Sequence, residues 1–211
     1  MPVKENREYR NLVLETRKAD EGDTDDKKIV KGYASTFNQP YVLYSTQNYV
    51  VSEIVDRHAF DECEMDDVIF QYDHAGRVFA RKSNGTLKVE PDDNGLYIEA
   101  DLGGTEIGRN LYEEIDGGYT TKMSFGFTVT EDKWEDLNRE DGTVESVRTI
   151  LKVGRLYDVS AVSLPANDAT SISVRSLSDG VITRLEAERL HAEEIRKAKL
   201  ALKIQILREE F

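Results

Sequence analysis

Short stretches of alternating apolar and polar residues recur along most of this 211-residue chain, and this pattern limits its fold more than any other feature. Successive side chains of a β-strand point to opposite faces, so such alternation predicts half-buried strands. At least nine stretches of this kind lie between residues 9 and 164, whereas only two or three segments have helical spacing. We therefore predict a mainly β (α+β) fold, either an antiparallel barrel or a sandwich, with helices outside the sheet.

Two short helices are predicted between the strands. The first begins at Asp56 and ends near Asp66. In the second, Ile107, Leu111 and Ile115 recur every four residues, and two glycines follow as a stop signal. The charged residues 131–143 are predicted to form an excursion between strands rather than a strand of their own.

The segment after Gly180 contains no glycine or proline and is rich in Leu, Ala, Glu, Lys and Arg. This composition predicts one long C-terminal helix. We therefore divide the chain into a β domain over residues 1–176 and a helical extension over residues 177–211. Glu188 and Lys199 interrupt the apolar stripe of the helix, so both packing on the β domain and binding of a partner or a second copy stay open.

Composition excludes several classes of function. The chain is 39% hydrophobic and 33% charged, which is typical of a globular protein, and no apolar run approaches the length of a membrane span. A net charge of −13 argues against nucleic acid as a partner, because phosphate backbones require a basic surface. The N-terminus lacks a signal peptide, and the single Cys63 excludes an internal disulfide, so we expect a reducing cytoplasm and no membrane.

The stretch from Tyr119 to Phe127 places a serine opposite an apolar strand face. Met123 and Phe125 share one face, while Ser124 and Gly126 share the other. Ser124 is therefore predicted to face outward, with Gly126 leaving space for an extended peptide beside its hydroxyl. The same pattern also fits an ordinary strand whose serine happens to meet solvent.

Two further residues are candidates for proton-transfer chemistry. His74 ends a predicted strand over residues 67–74, where a histidine is either structural or a general base. Asp158 lies in a stretch that is apolar on both faces, so its buried carboxylate would need a partner. The order His74, Ser124, Asp158 is compatible with a base, a nucleophile and an orienting acid, which occur in several chain orders.

No cofactor or metal is predicted. Asp23, Asp25 and Asp26 lack the glycine and downstream glutamate of a calcium loop, and no phosphate-binding glycine loop is present. One cysteine cannot form a metal cluster.

Over roughly residues 10 to 176 the chain resembles the prohead (capsid maturation) proteases of tailed phages, whose fold is related to the herpesvirus assemblins. The segments that carry the resemblance are Gly32 to Phe37, His58 to Phe60, Gln71 to His74, Gly95 to Tyr97, Lys122 to Phe127 and Tyr157 to Asn167.

The resemblance implies a β-barrel of the herpesvirus-protease type and a serine endopeptidase. Its implied substrates are the scaffold or capsid precursor, and the protease itself, inside the assembling prohead in the host bacterial cytoplasm. It also implies that His74 is the base and Ser124 the nucleophile, with Asp158 as the third member and the backbone near Ala166 and Asn167 as an oxyanion hole.

Some positions depart from the family pattern. Asp158 stands where the family more often has glutamate, and Ala75 follows His74 where an acidic or amide residue is common. His58 matches a position without a catalytic role in the family. The sequence also raises two other classes of function. A non-catalytic β-barrel module that docks on capsid or scaffold proteins stays open, whereas an α/β-hydrolase esterase is disfavoured because no Gly-x-Ser-x-Gly elbow is present.

Overall fold

The protein is described by a computed structural model that covers residues 7–16, 27–163, 181, 183–191, 193–197 and 199. Over these residues the fold is mainly β, as predicted. The elements are β1 (Glu8–Thr16), β2 (Ile29–Thr36), β3 (Tyr41–Ser45), β4 (Tyr49–Val55), β5 (Ile69–Tyr72), β6 (Ala75–Arg81), a 3₁₀ turn (Lys82–Asn84), β7 (Leu87–Pro91), β8 (Gly95–Asp101), α1 (Glu106–Asp116), β9 (Lys122–Asn138) and β10 (Val144–Val162). Within the C-terminal segment, the described residues from 181 to 199 are helical.

The strands form one connected sheet in the order β3-β4-β10-β9-β1-β2-β8-β7, with β5 and β6 attached beside β10. This order runs from one edge strand to another, so the described strands do not close into the predicted barrel. Strand β1 joins the two halves because residues 8–13 pair with β9, whereas residues 14–16 pair with β2. The architecture is therefore an open sheet whose two halves are joined through β1.

Most strand pairs are antiparallel, as predicted, and the exceptions both involve β10. This strand pairs antiparallel with β9, but it pairs parallel with β4 over residues 144–150 and with β5 over residues 158–161. Strand β10 runs without interruption from Val144 to Val162 and includes the stretch around Asp158. Residues 131–138, predicted to be an excursion, continue β9 in a ribbon with β10.

The predicted helix α1 is confirmed, with Thr105 as its N-cap and Gly117 as its C-cap. Leu111 and Ile115 enter the main core, while Ile107 stays 40% exposed. The helix predicted from Asp56 to Asp66 is absent from the described residues. A series of hydrogen-bonded turns replaces it. The backbone hydrogen bonds of this segment connect residues three apart, as in Ala59 N–H to Asp56 O at 3.0 Å.

The C-terminal helical segment contacts the sheet at β3, β4 and β9. Val181 packs against a small apolar cluster that includes Leu43 and Val51, and Leu185 is buried. The Arg184 guanidinium donates two hydrogen bonds to the Asp136 carboxylate, at 2.7 and 3.0 Å. The beginning of this segment is therefore attached to the β domain. None of the described helices is both long and apolar enough to cross a membrane.

A buried ion network joins β1, β4 and β10. Arg10 donates to both Glu53 oxygens at 2.7 and 2.6 Å, and Arg148 donates to both Glu8 oxygens at 2.5 and 2.9 Å. Arg148 also reaches Glu53 at 3.0 Å, so the two guanidiniums share one buried carboxylate. Burial by itself raises the pKa of Glu8, but the hydrogen bond from Arg148 and the charges of Arg10 and Arg148 outweigh it, and the pKa is lower than usual.

Replacing Glu8 with Gln is expected to lower the free energy of unfolding near neutral pH by about 2 kcal/mol, because Arg148 loses a charged partner. Since the folded-state pKa of Glu8 is lowered, this stabilisation is present above its ordinary value of 4.5 and is lost as the pH falls below it. Urea unfolding of the parent and of Glu8→Gln should therefore show a smaller difference in the free energy of unfolding at about pH 3 than at about pH 7. Glu90→Gln, which breaks the exposed Lys88 pair, should change little. An equal loss from Glu8→Gln at both pH values would contradict this account.

Candidate functional site

The three residues predicted for proton-transfer chemistry lie on or beside three neighbouring strands. Strand β10 carries Asp158, β9 lies on one side of it with Ser124, and β5 lies on the other side and leads into His74. Ser124 is directly opposite Ser160 in the register of β9 and β10. Because directly paired residues share a face and Asp158 is two residues from Ser160, Ser124, Ser160 and Asp158 lie on the same face.

His74 is held by a tight turn rather than by a strand. Strand β5 ends at Tyr72, which pairs with Ala75, so Asp73 and His74 form a two-residue hairpin loop. Both have positive φ, 48° for Asp73 and 54° for His74, as a type I′ turn requires. Glycine or asparagine usually occupies such positions, so this backbone conformation costs about 1 kcal/mol per residue. Strained backbone conformations of this kind are concentrated at active sites and other functional sites.

Asp73 fixes this turn to the end of β10. One Asp73 oxygen accepts the Ser163 backbone N–H and the other accepts the Ser163 hydroxyl, both at 2.9 Å. The Asp73 N–H in turn donates to the carbonyl of Ala161 at 2.9 Å. The turn that carries His74 is therefore connected to the same strand that carries Asp158.

Asp158 and His74 are hydrogen-bonded through Oδ1 of the carboxylate and Nδ1 of the ring. Asp158 is 2% exposed, so the prediction that its buried carboxylate needs a partner is confirmed. The carboxylate accepts, which requires that Nδ1 of His74 carries the proton and leaves Nε2 as the basic nitrogen when the ring is neutral. The Ser160 hydroxyl donates to the same Oδ1 at 3.0 Å.

Ser124 departs from its predicted environment. Its side chain lies on the face opposite Met123 and Phe125, but it is only 1% exposed instead of facing solvent. Alternation decides which face a side chain occupies, but it does not show what covers that face. Within the part of the chain that the structure describes, Ser124 Oγ has no hydrogen-bond partner. The Ser124 hydroxyl and His74 are thus on the same side of the sheet without a hydrogen bond between them.

Other predicted residues lie elsewhere. His58 is 72% exposed and its Nδ1 pairs with Asp61 Oδ2 at 2.9 Å, while the exposed His191 belongs to the C-terminal helical segment. Ala166 and Asn167, predicted for the oxyanion hole, lie outside the described residues. Burial raises the pKa of Cys63 to about 11, so this thiol remains protonated at neutral pH and is a poor nucleophile.

Ser160 is the member of this cluster for which no role was predicted from the sequence. Its signal was available, because it lies two residues from Asp158 and therefore on the same face of the strand. Among the residues that the structure describes, no group of His, Cys, Asp and Glu side chains could hold a metal ion. The chemistry of the cluster is that of a hydroxyl, an imidazole and a carboxylate.

Comparison with known protein families agrees with this chemistry. A family model described as caudovirus prohead serine protease matches residues 13–181, which is most of the chain. No match was found among curated proteins, and none among solved structures.

Proposed function

The chain belongs to the caudovirus prohead serine protease family, and from this we propose that it is a serine endopeptidase with Ser124 as nucleophile, His74 as base and Asp158 as orienting acid. Its proposed substrates are the scaffold or capsid-precursor segments of a phage prohead, and the protease itself. The observation that carries the assignment of residues is the hydrogen bond between His74 Nδ1 and the buried Asp158, on the strand adjacent to Ser124.

In the first half of the proposed reaction, His74 Nε2 takes the proton of Ser124 Oγ while the oxygen forms a bond to the substrate carbonyl carbon. The carbonyl π electrons move onto the oxygen and give a tetrahedral intermediate. When the carbonyl double bond re-forms, the C–N bond of the peptide breaks. His74 gives its proton to the leaving amine, and an acyl-enzyme ester remains on Ser124. In the second half, His74 takes a proton from water while the water oxygen attacks the acyl-enzyme ester. The ester bond breaks, Ser124 regains its proton from His74, and the new carboxylate is released.

Asp158 has two tasks in this scheme. It holds the Nδ1 proton, so that Nε2 points away from the carboxylate as the basic nitrogen, and it stabilises the imidazolium that forms in each step. Because Asp158 is almost fully buried, the charge of its carboxylate acts through a medium less polar than water and is weakly screened. The backbone N–H groups near Ala166 and Asn167 remain our candidates for binding the oxyanion.

The burial of Ser124 places a condition on this activity. At 1% exposure the hydroxyl cannot meet a peptide carbonyl, so substrate binding has to uncover this face of the sheet. The proposed hydrogen bond from Ser124 to His74 is expected to form in the substrate complex, as catalytic hydrogen bonds often do. We therefore expect the isolated protein to be less active than the protein mixed with its assembling substrate.

The C-terminal helical segment is a candidate for self-association within the prohead. Its first turns are attached to the β domain through Val181, Arg184 and Leu185. Further along, Leu190 and Ile195 are 58% and 42% exposed. These exposed apolar side chains are the groups on which a second copy could pack, as proposed from the sequence.

Co-expression with a candidate capsid precursor tests the proposed function. The expected result is a set of precursor fragments whose masses, measured on the intact fragments, define discrete internal cleavage sites. A Ser124→Ala protein of equal abundance serves as the control and should leave the precursor whole. If the unmodified protein binds the precursor but produces no fragments, the alternative of a non-catalytic docking module replaces the protease.

A further inference from the structure

Ser160 occupies the centre of the candidate site. It is fully buried on β10, directly opposite Ser124 on β9 and beside Gln71 on β5. Paired residues on neighbouring strands share a face, so the Ser160 hydroxyl lies between the strand of the proposed nucleophile and the strand that leads to His74. No role for Ser160 follows from the proposed mechanism alone.

The hydroxyl of Ser160 binds the oxygen that also binds His74. Ser160 Oγ–H donates to Asp158 Oδ1 at 3.0 Å, and His74 Nδ1–H donates to the same atom. Asp158 has almost no contact with water, and a buried carboxylate is stable only if protein donors replace the lost water. With two donors on one oxygen, the plane of the carboxylate cannot rotate freely.

We propose that Ser160 is a positioning residue of the protease, acting on His74 through Asp158. By fixing the Asp158 carboxylate it fixes the direction and the tautomer of the imidazole, and so the aim of Nε2 toward Ser124. Ser160 is not a second nucleophile, because its proton is directed at Asp158 rather than at His74. This inference rests on the proposed function.

Ser160→Ala is the direct test. Removing one donor from a charged acceptor should lower kcat about ten- to a hundredfold, with KM changed by less than about threefold, because no contact with substrate is lost. Ser160→Thr retains a hydroxyl and should keep kcat within about threefold of the parent. The readout is the cleavage rate of a peptide that spans a mapped site of the capsid precursor.

Ser146→Ala is the matched control. Ser146 lies on the same strand, is equally buried and donates to a carboxylate, Asp136 Oδ1 at 2.7 Å, at the opposite end of β10. Its loss should leave kcat and KM unchanged. Comparable slowing in Ser146→Ala and Ser160→Ala would overturn the proposal, because the effect would then come from the strand and not from Asp158.

A second readout does not depend on cleavage. In the Ser124→Ala background, the His74 Nδ1–H proton should give a downfield NMR resonance that moves when Ser160 is also replaced by Ala and stays in place for Ser146→Ala. An unmoved resonance, a Ser160→Ala enzyme with parental kcat, or a Ser160→Thr enzyme as slow as Ser160→Ala would each overturn the proposal. If the parent cleaves nothing, the protease function fails, while the resonance still tests the contact of Ser160 with Asp158.

Discussion

Replacing Ser124 with Ala is expected to abolish cleavage of the capsid precursor and leave the fold intact. Loss of the nucleophile in serine proteases lowers kcat by about 10⁶, which is beyond detection in a co-expression assay. The folded state should tolerate the change, because Ser124 Oγ makes no hydrogen bond to the described residues. A buried hydroxyl without a partner is unfavourable by about 1–3 kcal/mol, so alanine should be neutral or slightly stabilising.

The measurement combines the fragment pattern of the precursor with thermal melting of the purified variant. Ser146→Ala is the control, because it removes a buried serine hydroxyl far from the site. It should cleave the precursor normally, and its free energy of unfolding should stay within about 2 kcal/mol of the parent. An active Ser124→Ala protein would show that another residue is the nucleophile. An inactive but unfolded one would contradict the expectation that the fold tolerates alanine at this position.

Replacing His74 with Ala should inactivate the protein to a similar degree, whereas replacing His58 with Ala should not. His74 is the histidine that reaches Asp158, and its loss removes the base and the group that Asp158 orients. His58 is the matched control because it also pairs with an aspartate, Asp61, but is largely exposed. Both variants are to be compared by the rate of precursor cleavage under the same expression.

The His74 variant also leaves the buried Asp158 with one donor fewer, so its stability has to be followed beside its activity. His74→Gln, which retains a donor of similar reach, separates the two effects and should be inactive but closer to the parent in melting temperature. The opposite result would be an inactive His58→Ala protein and an active His74→Ala protein. It would show that the histidine matched to the catalytic base of the family is the wrong one.

Much of the site was predictable because strand alternation is a local property. The stretch around Ser124 was correctly placed on a strand with Met123 and Phe125 on the core face, and Asp158 was correctly expected to be buried and partnered. Alternation could not show that the Ser124 face is covered, since that depends on which segments pack above it. It also could not show that Ser160 donates to Asp158, although the two-residue spacing placed both on one face.

The errors in the fold have the same origin. The parallel pairing of β10 with β4 and β5 is a matter of register between distant segments, which no local pattern specifies. Residues 131–138 belong to a long ribbon and lack an apolar face, so their charge is typical of a loop although they form part of β9. The left-handed turn at Asp73 and His74 lacks the usual Asn-Gly signal, and it is held instead by contacts with Ala161 and Ser163.

The central claim is that Ser124 is a nucleophile activated by His74. The most direct test is to label the protein with a fluorophosphonate while it is cleaving the capsid precursor. The labelled residue is then identified by peptide mass spectrometry. The reagent transfers its phosphonyl group to an activated serine oxygen and releases fluoride. We predict a single adduct on Ser124 in the parent and in His58→Ala, and none in His74→Ala. An adduct on Ser160 or any other residue, or an equally labelled Ser124 in His74→Ala, would contradict the claim.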